Sequence, residues 1–323
     1  MEVIQIREVI KMNVLIFGGT GFIGRNLTEE LLTNGYKVLV VTRNLQKTTN
    51  DLGSKANLIE WDNHSPLSSI SELQDTEVVI NLAGESIGNR RWSNSVKQEI
   101  LTSRIRTTHA IVSAINNRTI HPKVLINASA VGYYGPRQDE VITEIEESGA
   151  DFLAQVCRDW EHEAYKVQSD LTRVSIIRIG VVLGKEGALN RMIIPFKFYV
   201  GGPLGTGSQW LSWIHITDLT RMIRFVIENQ ELTGPINATA PGSVTMKEFS
   251  QVLGEVMSRP SWLQVPTWIL RIALGQMADM LLHGQRVVPK KIIDAGFEFR
   301  FCKLKATLED VFGARNGEYI SYT

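Results

Sequence analysis

The chain has 323 residues, with 34 Lys+Arg against 34 Asp+Glu, and 43% of it is hydrophobic. This balance removes the electrostatic reason to expect nucleic acid or an anionic membrane surface as a partner, and the composition is that of an ordinary globular protein of one large or two smaller domains. Cys157 and Cys302, far apart and without a CxxC partner or a histidine cluster, read as free thiols, which excludes a disulfide scaffold and a metal site.

Residues 1–11, MEVIQIREVIK, lack the basic start and uninterrupted apolar core of a signal peptide and read as an extension ahead of the fold. No apolar run approaches the roughly 20 residues of a membrane span, so the expected location is the cytoplasm. Val14–Phe17 is the first predicted strand, Arg25–Asn34 a helix with Leu27, Leu31 and Leu32 on one face, and Lys37–Thr42 the second strand. Further strands are predicted at Asn57–Trp61, Val78–Leu82, Lys123–Ala128 and Val174–Ile179, with helices at Ser93–Asn116 and Phe152–Lys166. This alternation predicts an α/β protein, a Rossmann-type doubly wound parallel sheet. After Gly184, prolines and glycines crowd residues 195–207, and a helix over Leu219–Glu228 follows the helix-start pair Thr217-Asp218. The expected division is a nucleotide-binding domain over 12–184, with segments near 213–238 returning to it, and a smaller, mainly helical lobe over 185–323.

Gly18, Gly21 and Gly24 stand between the first strand and first helix, spaced GxxGxxG. Gly18 permits a tight turn, Gly21 removes a side chain from the path of a pyrophosphate, and Gly24 lets helix pack on strand. The N–H groups of Thr20, Phe22 and Ile23 at the helix start are positioned to bind phosphate. Arg43 lies 19 residues after Gly24, where a ribose-reading residue belongs. An aspartate there would accept from a ribose 2′-hydroxyl; a guanidinium instead pairs with a 2′-phosphate, which predicts NADP as cofactor, with Thr42 adding a hydroxyl donor. The alternative is a solvated surface arginine. Other strand ends extend the expected cofactor site: Asp62 at the adenine, Leu82, Ala83 and Gly84 at the ribose and pyrophosphate, and Val182 beside the nicotinamide.

The stretches NLAGESI, RRW, KQEILTSRIRTT, ASAVGYYG, RIGVVLGKEGA, GGPLGTGSQWLSWIHITDL and LLHGQRVVPKKIIDAGFEF, with TGFIG in the glycine loop, together resemble one branch of the extended short-chain dehydrogenase/reductase superfamily. It is the atypical branch labelled the epimerase family, with a short C-terminal domain of its own. The resemblance runs from Met12 over nearly the whole chain and implies a Rossmann fold and NADP binding. It also implies a Tyr-x-x-x-Lys pair, which is missing: four residues after Tyr133, Tyr134, Tyr165 and Tyr199 stand Arg137, Gln138, Ser169 and Pro203. Aligned on Trp160-Glu161, the expected tyrosine and lysine positions hold Leu153 and Cys157.

Ser129 matches the family serine that orients a substrate carbonyl or hydroxyl, and Tyr133 and Tyr134 are the remaining phenols near it; these three are the catalytic candidates. Packing of the loop is the competing role for both tyrosines. Glu99 and Arg104 lie on the long helix, where Arg104 could hold a phosphate or a carboxylate with Glu99 orienting it, or the pair could be solvated. His215 and Asp218 are expected to be architectural, and Trp210, Trp213, Trp262 and Trp268 to be core, the alternative being the lining of a substrate cleft between lobes. Two functions follow from this reading. The first is an NADP-dependent oxidoreductase or epimerase acting on a small polar, sugar-like substrate. The second is a non-catalytic NADP(H)-binding protein acting through a partner. A small molecule is the expected ligand, with no nucleic acid and no membrane, and a homo-oligomer is compatible with either.

Overall fold

The computed structural model describes residues 12–52 and 56–313; the expected N-terminal extension lies outside them. In chain order the main elements are β1 (Asn13–Phe17), α1 (Phe22–Thr33), β2 (Lys37–Thr42), α2 (Leu45–Leu52), β3 (Asn57–Glu60), β4 (Val78–Asn81), α3 (Asn94–Asn116), β5 (Val124–Ala130), α4 (Phe152–Ala164), β6 (Arg173–Ile179), α5 (Ile216–Glu228), β7 (Gly234–Ala238), α6 (Met246–Val256) and α7 (Leu304–Phe312). The strands β1 to β7 form one sheet in the order β7-β6-β5-β4-β1-β2-β3, and all its pairings are parallel. This is a doubly wound α/β sheet, and chain order reverses between β1 and β4, the place where such sheets bind ligands.

The inner strands are apolar on both faces because both are covered. Val14 and Ile16 pack with Leu27 and Leu31 of α1 and Ile223 and Val226 of α5. The alternate residues Leu15 and Phe17 pack with Ile111 and Ile115 of α3. A polar weld joins the second layer to the sheet. Asn81 Nδ2 donates to Thr108 Oγ1 at 2.9 Å and to Asn127 Oδ1 at 2.7 Å, and Trp160 Nε1 donates to the same Thr108 oxygen at 2.9 Å. These bonds fix β4, β5, α3 and α4 against one another just below the strand ends.

Two differences from the sequence reading have local causes. Helix α1 begins at Phe22, three residues before the predicted start, because Gly21 in extended conformation serves as its N-cap. The helix α2 was not predicted; its eight residues contain few apolar positions, and it begins where Thr42 and Thr48 join hydroxyls at 2.7 Å.

A further hydrophobic cluster is centred on Trp213, Phe249, Leu253 and Leu308, which brings together α6, α7 and the short strand Trp213–His215. The His215-Asp218 pair has the architectural role expected of it, with more detail. His215 Nδ1 accepts from Thr217 N at 3.1 Å and starts α5. The fully buried Asp218 accepts from Arg300 N and Phe301 N, pinning the 300–301 segment. Of the four tryptophans expected in the core, only Trp213 is fully buried; Trp262 and Trp268 are 67% and 63% exposed. No helix among the described residues is long and apolar enough to cross a membrane.

Burial lowers the pKa of His215 below its ordinary 6.5, against the opposing pull of Asp310 and Asp218. The buried ring is therefore neutral when the unfolded chain's histidine begins to take up a proton. Stability is full above about pH 6.5 and is lost as pH falls below that value. Thermal unfolding between pH 7 and pH 5 should show a fall in Tm that is smaller in His215→Gln, which carries no titrating ring.

Candidate functional site

The glycine loop closes on itself before any ligand is considered. Gly18 has φ +78, and a Cβ there would meet the backbone of Leu82 and Ala83 at 2.7–2.8 Å. A Cβ at Gly24 would lie 2.3 Å from Gly18 O. Both glycines are required by the protein itself. Gly21 differs: it is exposed, and a Cβ there would meet only Gly18 O, at 3.4 Å. Its bare face opens at the N-terminus of α1, where no side chain caps the helix and the first turn carries no acid. The leading N–H groups of α1, at Phe22, Ile23 and Gly24, thus have no side-chain acceptor and carry the positive end of the helix dipole. An anion such as a pyrophosphate fits this cradle in charge, donor supply and space.

The loop is braced from outside it by Arg25 and Glu186, which the sequence reading did not single out, and by the side chain of Phe22. Arg25 Nη1 donates to Thr20 O at 2.5 Å, and its Nη2 pairs with Glu186 at 2.6 Å. The Phe22 ring sits against Gly184 and Gly187, where a Cβ would approach it to 2.6 and 3.1 Å. Ile23 is half-buried against the α1 side of the core. The 184–187 segment therefore rests on the loop, and the half-buried Val182 precedes it in the short strand Val181–Leu183.

Arg43 is exposed at the end of β2 and makes no ion pair among the described residues. Thr42 is not beside it as a free donor. Its hydroxyl is buried, accepts from Asn44 N at 3.1 Å and lies 2.7 Å from Thr48 Oγ1. The hydroxyl is needed to turn the chain from β2 into α2, which corrects the expectation of a ligand donor. Asp62 is exposed, with Oδ1 accepting from His64 N and Ser65 N at 2.8 Å each. These N–H bonds and the Ser65 hydroxyl hold its carboxyl down at about 2, so its main task is the turn after β3. Leu82 N donates to Phe17 O and Ala83 N to Asn81 Oδ1, so the end of β4 is tied to β1 beside the glycine loop.

The expected Glu99–Arg104 pairing does not form. Five residues along a helix rotate a side chain to about 140° away, and Glu99 instead takes Arg90 at 2.6 Å on the exposed face. Arg104 turns inward, across Gly84, with Nη1 donating to Glu85 O at 3.0 Å and Ile100 O at 2.9 Å.

The catalytic candidates are arranged around a pair that the sequence reading did not single out. Arg178 on β6 is 3% exposed and donates in parallel to both oxygens of Glu161 on α4, from Nε at 2.9 Å and Nη2 at 2.8 Å. Ser129 Oγ donates to Glu161 Oε1 at 2.6 Å. Tyr134 is fully buried; its hydroxyl donates to Asn237 Oδ1 at 2.6 Å and accepts from Arg178 Nη1 at 2.9 Å. Burial pushes this phenol up to about 12, against the pull of Arg178. Tyr134 reaches toward β6 and β7, away from the β1/β4 crevice, and is withdrawn from the catalytic set: a buried guanidinium requires acceptors, and its hydroxyl is one. The half-buried Tyr133 lies under the same guanidinium, 3.4 Å from its ring centre to Cζ. Ser129 remains at the end of β5, but its proton is given to Glu161, which leaves it an acceptor. Cys157 packs beside it, its thiol pushed up to about 11 by burial and the Glu161 charge. The signal available in the sequence was an arginine within an apolar strand, which cannot be buried without a partner.

A family model described as the NAD dependent epimerase/dehydratase family matches residues 14–238, and one described as a domain of unknown function, DUF1731, matches residues 265–311. The chain belongs to this epimerase family. It is 43% identical over 311 residues to an Arabidopsis thaliana protein named epimerase family protein SDR39U1 homolog, chloroplastic, covering 93% of this chain and 87% of that one. It is 41% identical to epimerase family protein YfhF of Bacillus subtilis (strain 168), covering 94% and 99%. Among solved structures, human epimerase family protein SDR39U1 (isoform 2) with NADPH superposes with a TM-score of 0.85 at 35% identity, over 93% of this chain and 99% of that one. A UDP-glucuronic acid 4-epimerase from Bacillus cereus, in complex with UDP-glucuronic acid and NAD, shares the fold at a TM-score of 0.75 and 19% identity, over 93% and 98%.

Removing one member of the buried pair leaves an uncompensated charge, a loss of about 3–5 kcal/mol. Glu161→Gln and Arg178→Met should each lower the unfolding free energy obtained from urea denaturation by that much, and the double variant Glu161→Leu/Arg178→Met should recover part of it.

Proposed function

We propose that the chain binds NADP(H) across the carboxyl ends of β2, β1, β4 and β5, and exchanges hydride with a small polar, sugar-like substrate held beside Ser129. The observation that carries the cofactor half is the uncapped start of α1 with its bare Gly21, combined with an exposed guanidinium at Arg43 where β2 ends. The relative solved with NADPH, at 35% identity over nearly its whole length, supports the same choice. The bound nicotinamide supplies or accepts the hydride. What the chain's own residues do is cradle the pyrophosphate on the α1 N–H groups, meet the 2′-phosphate with Arg43, and present Ser129 as a hydrogen-bond acceptor toward a substrate hydroxyl.

One set of observations favours a second reading, a non-catalytic NADP(H)-binding protein that acts through a partner. The Ser129 and Tyr134 hydroxyls donate inside the protein, and the helix that would carry a phenol and an ammonium carries Leu153 and Cys157. Transfer of deuterium from stereospecifically labelled NADPH to a panel of small carbonyl compounds separates the two. Transfer supports turnover; NADPH binding with no transfer across the panel supports the second reading.

Two variants test the cofactor assignment. Arg43→Ala should cost about 2 kcal/mol of NADPH binding, roughly thirtyfold, and far less for NADH, because only the former loses a charge-assisted bond. Equal losses would assign Arg43 to something other than the 2′-phosphate. Gly21→Ala should fold with a Tm close to that of the wild type yet lose NADPH binding, read by nucleotide fluorescence, whereas Gly24→Ala should lose stability outright because its Cβ has no space.

A further inference from the structure

The mouth of the crevice between β1 and β4 is bridged by the protein's own side chains. On the β4 side, the connection from the sheet to α3 is moored at Ile87 and Trp92. Trp92 Nε1 donates to Ile87 O at 2.8 Å, and both side chains pack with Val96 and Ile100 of α3 and Val156 of α4. Between these moorings lies the tip 88–91, in which Asn89, Arg90 and Arg91 are exposed. On the α1 side, the segment that follows the short strand Val181–Leu183 rests on the Phe22 ring through Gly184 and Gly187, and its Glu186 pairs with Arg25 at 2.6 Å. The segment continues into the short helix Ala188–Met192, whose Leu189 is buried with Trp213 and Phe249.

Arg191 carries this helix across to the tip. Its Nη1 donates to Gly88 O and its Nη2 to Asn89 Oδ1 at 2.7 Å. A second arginine reaches the other way: a Cβ on Gly275 would lie 2.8 Å from Arg91 Nε. Both acceptors of Arg191 are neutral and its guanidinium is exposed, so water can replace each bond at modest cost. Glu186 and Arg191 belong to one short segment, yet their partners stand at the start of α1 and beyond the end of β4. The segment therefore spans the place where chain order reverses, which is where the glycine cradle opens. The bridging atoms are separate from the cradle, whose donors are the N–H groups of α1.

We propose that the tip 88–91 and the segment 186–191 form a latch across the crevice, fastened by Arg191, which opens each time a dinucleotide enters or leaves. This rests on the NADP(H) reading above and adds what controls exchange of the cofactor. A latch made of bonds between protein groups sets the rates of entry and release together and leaves the affinity nearly unchanged. A side chain that held the ligand would instead change release and affinity in step.

Stopped-flow nucleotide fluorescence reads both rates. Arg191→Ala should speed NADPH association and release each by roughly tenfold, with Kd within about threefold of the wild type. Asn89→Ala, which removes one of the two acceptors, should act in the same direction and less strongly. The converse variant closes the latch. In a Cys302→Ser background, Asn89→Cys/Arg191→Cys joined by a short bismaleimide should retain NADPH loaded beforehand and exclude NADPH added afterwards; the remaining native thiol, Cys157, is buried. Unchanged rates in Arg191→Ala, faster release with a matching loss of affinity, or free exchange through the linked latch would overturn the inference and leave the NADP(H) reading standing. Wild-type protein that binds no NADPH would overturn both.

Discussion

The interaction on which the cleft depends is the buried pair between Arg178 of β6 and Glu161 of α4. Two full charges sit where water is scarce, so every remaining donor and acceptor on them must be met by the protein. Glu161 takes the Ser129 proton in addition to two guanidinium N–H groups. Arg178 adds the Tyr134 hydroxyl and lies against the Tyr133 ring, while burial, which would lower its pKa, is outweighed by Glu161 and Tyr134. One charge pair thereby fixes the end of β5, the loop that follows it, α4 and β6. It also decides which side chains are left for a ligand. Hydroxyls that the sequence marks as chemical are, in the fold, terminals of an electrostatic network.

The opposite side of the crevice is built by different means. There the ligand surface is backbone: a glycine loop braced by Arg25, Glu186 and the Phe22 ring, and the N–H groups of an uncapped helix. Its charges are on the rim at Arg43 and on the floor at Arg104. A site of this kind is assembled before any ligand arrives, since its donors are fixed by helix and turn geometry. The dense packing of Gly18 and Gly24 excludes any larger residue at either position, while Gly21 alone leaves space.

How much of this was readable in the sequence differs by the range of the interaction. The inner strands were legible because two covered faces demand unbroken apolar runs, and Gly18, Gly21 and Gly24 were legible because strand–glycine–helix order is local. The Thr42 donor was misjudged because a short polar side chain at a strand end has its own turn to stabilise, and the Asp62 carboxylate has such a turn as well. The Arg178–Glu161 pair, 17 residues apart, and the Tyr134–Asn237 bond, 103 apart, depend on which strands become neighbours. No spacing rule in the chain encodes that. The Glu99–Arg104 expectation failed on arithmetic available beforehand, since a five-residue step does not keep a helix face.

The ionic character of the residues left around the cleft constrains the chemistry further. A lysine can be tuned by burial toward neutrality and can relay a proton. Arginine stays charged, so Arg104 cannot pass protons on. The Cys157 thiol, held near 11, is neutral at pH 7 and is no base there. The Tyr134 phenol, near 12, is neutral as well and its hydrogen bonds are filled. Hydride exchange with a carbonyl needs a proton as its companion; the Tyr134 O–H is committed to Asn237, and a thiol held near 11 is a weak acid at neutral pH. In a turnover reading, water supplies the proton when a carbonyl is reduced and takes it up when a hydroxyl held at Ser129 is oxidised. Such a route is slower than transfer from a tuned side chain, and it favours substrates whose departing or arriving proton is itself acidic. The same fixed charges that cost the cleft its acid and base make it a rigid receptor for a dinucleotide, which is the property that both functional readings share.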